Sequence, residues 1–152
     1  MLCRDIKLDN IFVVPASSSS SRGKTPTFLV KIIDFGIGEL MRPGHRLSLQ
    51  CGTPAYAAPE IVQDKKYSGV AVDSWSLGVL LFLMLTGKYP FQPCPTREHM
   101  FKKICAGDFD VPGHVSQGAR QVLAGLLQAD PEKRMKLATV RGIAVLHSAH
   151  DA

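Results

Sequence analysis

The sequence predicts a mainly α-helical domain that carries one small β-hairpin. Two β-prone runs near its start, residues 11–14 and 28–33, are expected to pair as the hairpin. A long apolar stretch, residues 70–86, and two amphipathic stretches after it are expected to form helices. At 152 residues with 45% hydrophobic residues, the chain has enough apolar side chains for one packed core.

The three predicted helices follow from apolar spacing and from the residues at their ends. The stretch 70–86 is apolar nearly all round, which indicates a helix buried on most sides and ended by Gly87. Residues 98–106 form a shorter amphipathic pattern that stops at Gly107. Ser116 is expected to cap the third helix. Its apolar residues recur at helical spacing: Ala119, Val122, Leu123, Leu126 and Leu127.

Between the two hairpin strands lies a polar segment, residues 15–27, which contains the serine tract 17–21. Such a segment cannot bury apolar surface, so a disordered insertion is predicted. A phosphorylated regulatory loop is the alternative interpretation of the same serines. Residues 141–152 give no clear pattern and are treated as a tail.

Composition and charge narrow the class of protein. The net charge is +5 and the basic residues are scattered, which favours solvated faces over a nucleic-acid surface. Four cysteines without a C-x-x-C pair indicate neither zinc nor disulfides, so reduced thiols in a cytoplasmic or nuclear protein are predicted. The longest apolar run, residues 78–85, is short of the roughly 20 residues of a membrane span, so none is expected.

Residues 3–10, Cys-Arg-Asp-Ile-Lys-Leu-Asp-Asn, concentrate polar groups of different chemistry. Asp5 can accept a proton from a hydroxyl, and Lys7 can neutralise a phosphoryl group. Asn10 offers a carbonyl oxygen to Mg²⁺, which prefers oxygen ligands. Apolar side chains alternate with these groups and are expected to anchor the segment: Ile6, Leu8 and Ile11. Taken alone, the string is equally compatible with a charged surface turn.

Two motifs downstream change that balance. Asp34-Phe35-Gly36 directly follows a predicted strand, and Ala58-Pro59-Glu60 comes later. The glycines at 36 and 38 begin a dinucleotide fingerprint, but Met41 stands at its third glycine position, so that interpretation is rejected. The order of the three motifs resembles the catalytic loop, metal-binding triplet and Ala-Pro-Glu of protein kinases.

The resemblance covers roughly residues 2–140 and implies a role for each site residue. Asp5 would orient and deprotonate a protein hydroxyl, and Lys7 would stabilise the transferred γ-phosphoryl group of ATP. Asn10 and Asp34 would hold Mg²⁺ and thereby ATP. The cofactors implied are ATP and Mg²⁺, and the partner implied is a protein substrate.

The resemblance also implies regulatory and docking residues. Arg4 would clamp a phosphate on the activation loop. Related kinases commonly carry a threonine where this chain has Leu49, so Ser48 is the candidate phosphorylation site. Thr53, in the segment Cys51-Gly52-Thr53-Pro54, would bridge Asp5 and Lys7 by hydrogen bonds.

Structural roles are implied for four further residues. Asp73 would hold the backbone of the catalytic loop, with a helix-start acid as the plainer interpretation. Arg134 would pair with Glu60, the acid of the Ala-Pro-Glu motif. Cys3 replaces the histidine that usually precedes Arg-Asp, and a cost in stability is expected from it.

Lys7, two residues after Asp5, favours the serine/threonine class, and the local sequence resembles the calcium/calmodulin-dependent and AMP-activated kinases. The motifs belong to the C-terminal lobe of a kinase. No glycine-rich loop, strand lysine or partner-helix glutamate precedes Met1, so we expect residues 1–140 to be a partial kinase domain without an N-terminal lobe. The helix that leads into the catalytic loop is also missing, which would leave part of the helix 70–86 uncovered. A non-catalytic binding module, or pseudokinase-like scaffold, is the alternative function.

Overall fold

The computed structural model describes residues 3, 5–15, 28–34, 36 and 53–140 of the chain. The first element of secondary structure is the 3-10 turn Leu8–Asn10, and two strands follow, β1 (Ile11–Pro15) and β2 (Phe28–Ile32). After them come the 3-10 turn Pro54–Tyr56 and helices α1 (Pro59–Val62), α2 (Gly69–Thr86), α3 (Arg97–Ala106), α4 (Gln117–Leu126) and α5 (Leu137–Val140). A helix-rich arrangement with one small hairpin is therefore confirmed for the described residues.

The hairpin pairs β1 and β2 antiparallel, with Ile11 opposite Ile32 and Pro15 opposite Phe28. The predicted pairing is confirmed, but Pro15 belongs to β1 and not to the loop. Proline is tolerated there because it lies at the end of the strand, where its missing N–H removes no hydrogen bond from the centre of the ladder. Residues 16–27 of the predicted insertion and the tail 141–152 lie outside the described residues.

Helix α2 forms the centre of the core, as the apolar stretch predicted. Its buried residues surround the helix axis, and Trp75 is fully buried against Phe91, with ring centroids 5.5 Å apart. Gly87 ends the helix in the left-handed conformation, at φ 70°, and donates its N–H to Leu83 O over 2.8 Å. Glycine adopts that conformation without a steric cost, which explains the stop.

Helix α2 is long and apolar enough to cross a membrane by length and composition alone, with a mean hydropathy of 1.7 over 18 residues. In the fold, however, 56% of this stretch is buried inside the protein, as in a core helix. Exposed apolar side chains lie toward its two ends: Val70, Met84 and Leu85.

Helices α3 and α4 both begin at side-chain caps, of which only the cap of α4 at Ser116 was expected. Thr96 Oγ1 accepts a hydrogen bond from His99 N, and Ser116 Oγ accepts one from Ala119 N. Gly78 lets α4 approach α2 closely, because a Cβ at that position would lie 2.9 Å from Leu126 Cβ. This packing fixes the end of α4 and thus the chain that follows it, which returns to α1.

Candidate active site

The catalytic segment begins in the core and turns outward. Cys3, Ile6 and Asn10 are buried, whereas Asp5 and Lys7 are half-buried. Leu8 is 51% exposed, so the expectation that it anchors the segment is wrong. The alternation ends there because Leu8–Asn10 form a 3-10 turn, which brings Asn10 inside in place of Leu8.

Two polar side chains of this segment converge on the carboxylate of Asp5. Lys7 Nζ lies 2.7 Å from Asp5 Oδ2, and Asn10 Nδ2 donates to the same oxygen over 3.1 Å. Asn10 Nδ2 also donates to the main-chain carbonyl of Asp5 over 2.9 Å. The hydrogen bond to Asp5 raises the pKa of Lys7, which keeps this amine a cation at neutral pH. The orientation of the Asp5 carboxylate is thus fixed by its own segment.

Asp34 reaches this cluster through the end of the hairpin. Ile33 N donates to Asn10 O over 2.9 Å, so the backbone of Asp34, the next residue, lies beside the 3-10 turn. Asp34 adopts a left-handed backbone conformation with φ 62°, and its Oδ1 accepts the N–H of Gly36 over 3.0 Å. Its charge contributes to the raised pKa of Lys7. The structure therefore places Asp34 at the end of the hairpin beside Asn10, where its charge acts on Lys7.

The donor set of this cluster fits a magnesium ion that is bound together with phosphates. Asn10 uses its amide nitrogen on Asp5, which leaves its carbonyl oxygen as the group for a cation. Asp34 supplies one exposed carboxylate. Within the described residues, no three His, Cys, Asp or Glu side chains are grouped as a metal site. Mg²⁺ in nucleotide sites commonly uses one or two protein ligands, the rest being water and phosphate oxygens.

Three polar contacts connect the segment to α2, one directly and two through Tyr56. Asp73 Oδ2 accepts the N–H of Cys3 over 3.1 Å. This contact is the one that the resemblance to protein kinases implied for Asp73. Leu8 N donates to the hydroxyl of Tyr56 over 3.2 Å, and Ser76 Oγ donates to Tyr56 O over 3.2 Å. Burial raises the pKa of the Cys3 thiol, so this residue stays a neutral packing group. Tyr56 and Ser76 were missed from the sequence, since nothing in their spacing indicates a contact with residue 8.

The Tyr56 contact predicts an alkaline loss of stability. Burial raises the pKa of Tyr56 to about 12, and the bond from Leu8 N acts in the opposite direction. An unfolded tyrosine releases its proton near pH 10. Between about pH 10 and about pH 12 the unfolded chain therefore binds fewer protons than the folded chain, so the free energy of unfolding falls as pH rises.

Urea unfolding at a series of pH values would measure this fall. We expect Tyr56→Phe to flatten the curve over that range, because phenylalanine has no proton to lose. Tyr67→Phe removes another buried tyrosine and leaves Tyr56 in place, so it should keep the fall. An unchanged slope in Tyr56→Phe would contradict the assignment.

Thr53 does not form the expected bridge. It is half-buried, and its carbonyl accepts the N–H of Tyr56 over 2.9 Å. Among the hydrogen bonds of the described residues, none joins its side chain to Asp5 or Lys7; Lys7 pairs with Asp5 directly. Arg4, Ser48 and the pair Cys51-Gly52 lie outside the described residues.

The expected pair of Glu60 and Arg134 is formed and buried. Arg134 Nη1 lies 2.7 Å from Glu60 Oε1, and Nη2 lies 2.9 Å from Oε2, with each residue 4% exposed. Arg134 also donates to the carbonyls of Ala71 and Gln128, over 2.8 and 2.9 Å. Its guanidinium lies 5.1 Å from the ring centroid of Trp75. One side chain thus joins α1, α2 and the segment after α4.

Comparison with known proteins adds an independent result. The family described as "Protein kinase domain" matches residues 1–145. Sperm motility kinase 3A of Mus musculus is 40% identical over 137 residues, which are 90% of this chain and 25% of that protein. The serine/threonine protein kinase OSK3 of Oryza sativa subsp. indica is 37% identical over 138 residues, which are 91% of this chain and 25% of that protein.

A third relative comes from Schizosaccharomyces pombe. The protein kinase domain-containing protein ppk9 is 37% identical over 137 residues, 90% of this chain and 24% of that protein. The chain therefore spans about a quarter of the length of these curated relatives.

Proposed function

The chain belongs to the protein kinase family, and we propose that it is the catalytic half of a serine/threonine protein kinase. The proposed reaction transfers the γ-phosphoryl group of ATP to a serine or threonine hydroxyl of a protein substrate. The observation that carries the proposal is the convergence of Asp5, Lys7, Asn10 and Asp34 at the end of the hairpin.

Each residue has a role that its position supports. The Asp5 carboxylate, held by Lys7 and Asn10, would accept a hydrogen bond from the substrate hydroxyl and take its proton as the oxygen attacks. Lys7 would balance the negative charge of the phosphoryl group. When bound, Mg·ATP supplies the phosphoryl group and neutralises its charge, and Asn10 and Asp34 would hold the magnesium. The chain contributes mainly position and charge.

The class and setting of the enzyme belong to the same proposal. The lysine two residues after Asp5 and the serine/threonine kinase named among the relatives support a serine/threonine acceptor. Within that class, we favour the calcium/calmodulin-dependent and AMP-activated group. Residues 1–140 would be the C-terminal lobe of the kinase domain, and residues 53–60, here called the docking segment, would face the protein substrate. Reduced cysteines support a cytoplasmic location, with the nucleus as a second compartment.

A binding module is the second candidate. The observation that favours it is the row of exposed residues on α3, among them Arg97, His99 and Lys102, which lies outside the catalytic cluster. In this case the docking segment and the exposed face of α3 would bind a protein partner without turnover. The two candidates differ in what they require of Mg·ATP.

Calorimetric titration of the chain with ATP, with and without Mg²⁺, separates the two functions. The kinase proposal expects ATP binding that requires Mg²⁺. Asp34→Asn should weaken this binding about tenfold or more, since loss of a residue that only supports a metal ligand already lowers metal affinity by about that factor. Asp64→Asn is the matched control, because Asp64 is another exposed aspartate with positive φ, at 53°, located after α1. No magnesium-dependent binding, or equal losses in both variants, would favour the binding module.

A further inference from the structure

A cavity lies beside the buried Glu60–Arg134 pair and is separate from the catalytic cluster. It has a volume of about 480 Å³. Most of its lining comes from residues 66–71, except Gly69, and residues 131–138, except Lys133, and Glu60 and Ser74 complete it. That volume is within the 300–1,000 Å³ of small-molecule sites. Asp5, Lys7, Asn10 and Asp34 are not among its lining residues, so the proposed reaction does not account for it.

The walls of this cavity are mainly apolar. Tyr67 is buried, and Met135 and Leu137 are half-buried, so these side chains present carbon surface to the space between them. Ser74, the polar residue deepest in the wall, donates its hydroxyl to Val70 O over 3.0 Å. An apolar body of a ligand would therefore displace water from the cavity without leaving this hydroxyl unpaired.

The charges at the rim of the cavity are unbalanced. Glu60 is neutralised by the two contacts with Arg134. Lys66 and Lys136 are exposed, and neither forms an ion pair within the described part of the chain, whereas Glu132 is the remaining acid in the lining. The rim thus carries one net positive charge beyond the buried pair.

The start of α2 adds to this positive rim. Ser68 and Val70 line the cavity, and the Ser68 side chain caps none of the first N–H groups of the helix. The N-terminal end of an 18-residue helix is the positive end of its dipole. Its role here is secondary to that of the two lysines, which carry full charges.

From the apolar walls and the positive rim, we propose that this cavity binds an amphipathic carboxylic acid. The apolar body lies between Tyr67, Met135 and Leu137, and the carboxylate lies at the mouth beside Lys66 and Lys136. A fully apolar ligand would form no ion pair with the two lysines, and a cationic ligand would be repelled by them. The site is a second binding site of the chain and does not depend on phosphoryl transfer.

Methyl NMR of the full chain, with ¹³C-labelled methionines, tests the site directly with sodium decanoate. Met135 lines the cavity, whereas Met84 is 61% exposed near the other end of α2. The fourteen positions between Val70 and Met84 correspond to about 20 Å of helix. We expect a saturable shift of the Met135 methyl signal and no parallel shift of Met84. No saturable shift, or equal shifts of both signals, would overturn the proposal.

The carboxylate is tested by charge variants. The double variant Lys66→Gln, Lys136→Gln should weaken decanoate binding about five- to tenfold, the effect of two exposed ion pairs. The control Lys88→Gln, Lys102→Gln removes the same charge from residues outside the cavity and should change binding less than twofold. Decanol, which lacks the charge, should bind the parent more weakly and respond to neither double variant. Equal affinities for decanol and decanoate would overturn the assignment of a carboxylate.

A cavity-filling variant distinguishes this cavity from other apolar surface. Ala138 is exposed at the rim, so Ala138→Trp can fill the space without changing the core. It should abolish the Met135 shift while leaving the signal of the buried Met100 at its parental position. Undiminished decanoate binding in Ala138→Trp, with Met100 unchanged, would place the ligand elsewhere and reject the site.

Discussion

Replacing Arg134 with alanine is expected to lower the free energy of unfolding by about 3–5 kcal/mol. The reason is the Glu60 carboxylate, which is 4% exposed and would remain buried without its cation. The carbonyls of Ala71 and Gln128 would lose their donors at the same time. An uncompensated buried charge costs far more than the pair itself contributes.

Chemical denaturation of the parent and of four variants would measure this cost. Arg97→Ala is the matched control: its guanidinium lies 4.9 Å from the Phe101 ring centroid, but Arg97 is exposed. We expect it to cost less than about 1 kcal/mol. Glu60→Ala alone should also destabilise strongly, since it leaves the arginine unpaired.

The double variant Glu60→Ala, Arg134→Ala should cost less than the sum of the single variants, because neither charge is then stranded. Limited proteolysis adds a local readout, since the pair joins α1 to the chain after α4, and α1 begins at the end of the docking segment. A loss below about 1 kcal/mol in Arg134→Ala, or strict additivity in the double variant, would show that the pair does not hold these elements together.

The sequence predicted best the parts of the fold that depend on local pattern. The apolar stretch around Trp75 gave the central helix within one residue, because an 18-residue helix buried on most sides has few alternatives. The stop at Gly87 follows from the backbone conformation that glycine permits. Helix α3 was placed equally well by Gly107, although its capping residue, Thr96, lay outside the predicted range.

The candidate site was predicted less completely because its contacts join distant parts of the chain. Alternation placed Leu8 inside, but the 3-10 turn buries Asn10 instead. Thr53 was expected to bridge Asp5 and Lys7, yet these two pair directly. Tyr56, whose hydroxyl accepts the Leu8 N–H, could not be found from spacing, since 48 residues separate the partners.

The cavity beside Glu60 could not be predicted from the sequence either. Its lining comes from Glu60 in α1, from residues around the start of α2 and from the segment that leads from α4 into α5, and these stretches lie far apart in the sequence. Only the packing of the two segments around the buried ion pair brings Lys66 and Lys136 to one rim. The cavity is thus bordered by the same ion pair whose loss should lower the free energy of unfolding.

The proposed kinase activity predicts that Asp5→Asn lowers the rate of phosphoryl transfer about 10²- to 10⁴-fold, the usual worth of a positioned general base. Asparagine has nearly the shape of aspartate and can keep an oxygen toward Asn10 Nδ2, but it cannot take the substrate proton. It also removes the ion pair with Lys7, whose Nζ lies 2.7 Å from Asp5 Oδ2. Because the shape and the contact with Asn10 are kept, we expect Asp5→Asn to remain folded while its rate of phosphoryl transfer falls.

The assay compares the parent, Asp5→Asn and Asp9→Asn in the longest translated product that contains these 152 residues, with a protein substrate and Mg·ATP. Asp9→Asn is the matched control, since it makes the same chemical change at an exposed residue of the same segment. It should keep activity within about threefold, because an exposed charge near a site is screened by solvent. Since the lost group acts in the transition state, the fall in Asp5→Asn should appear in kcat more than in KM. Parental activity in Asp5→Asn would reject Asp5 as the base, and an inactive parent would favour the binding module.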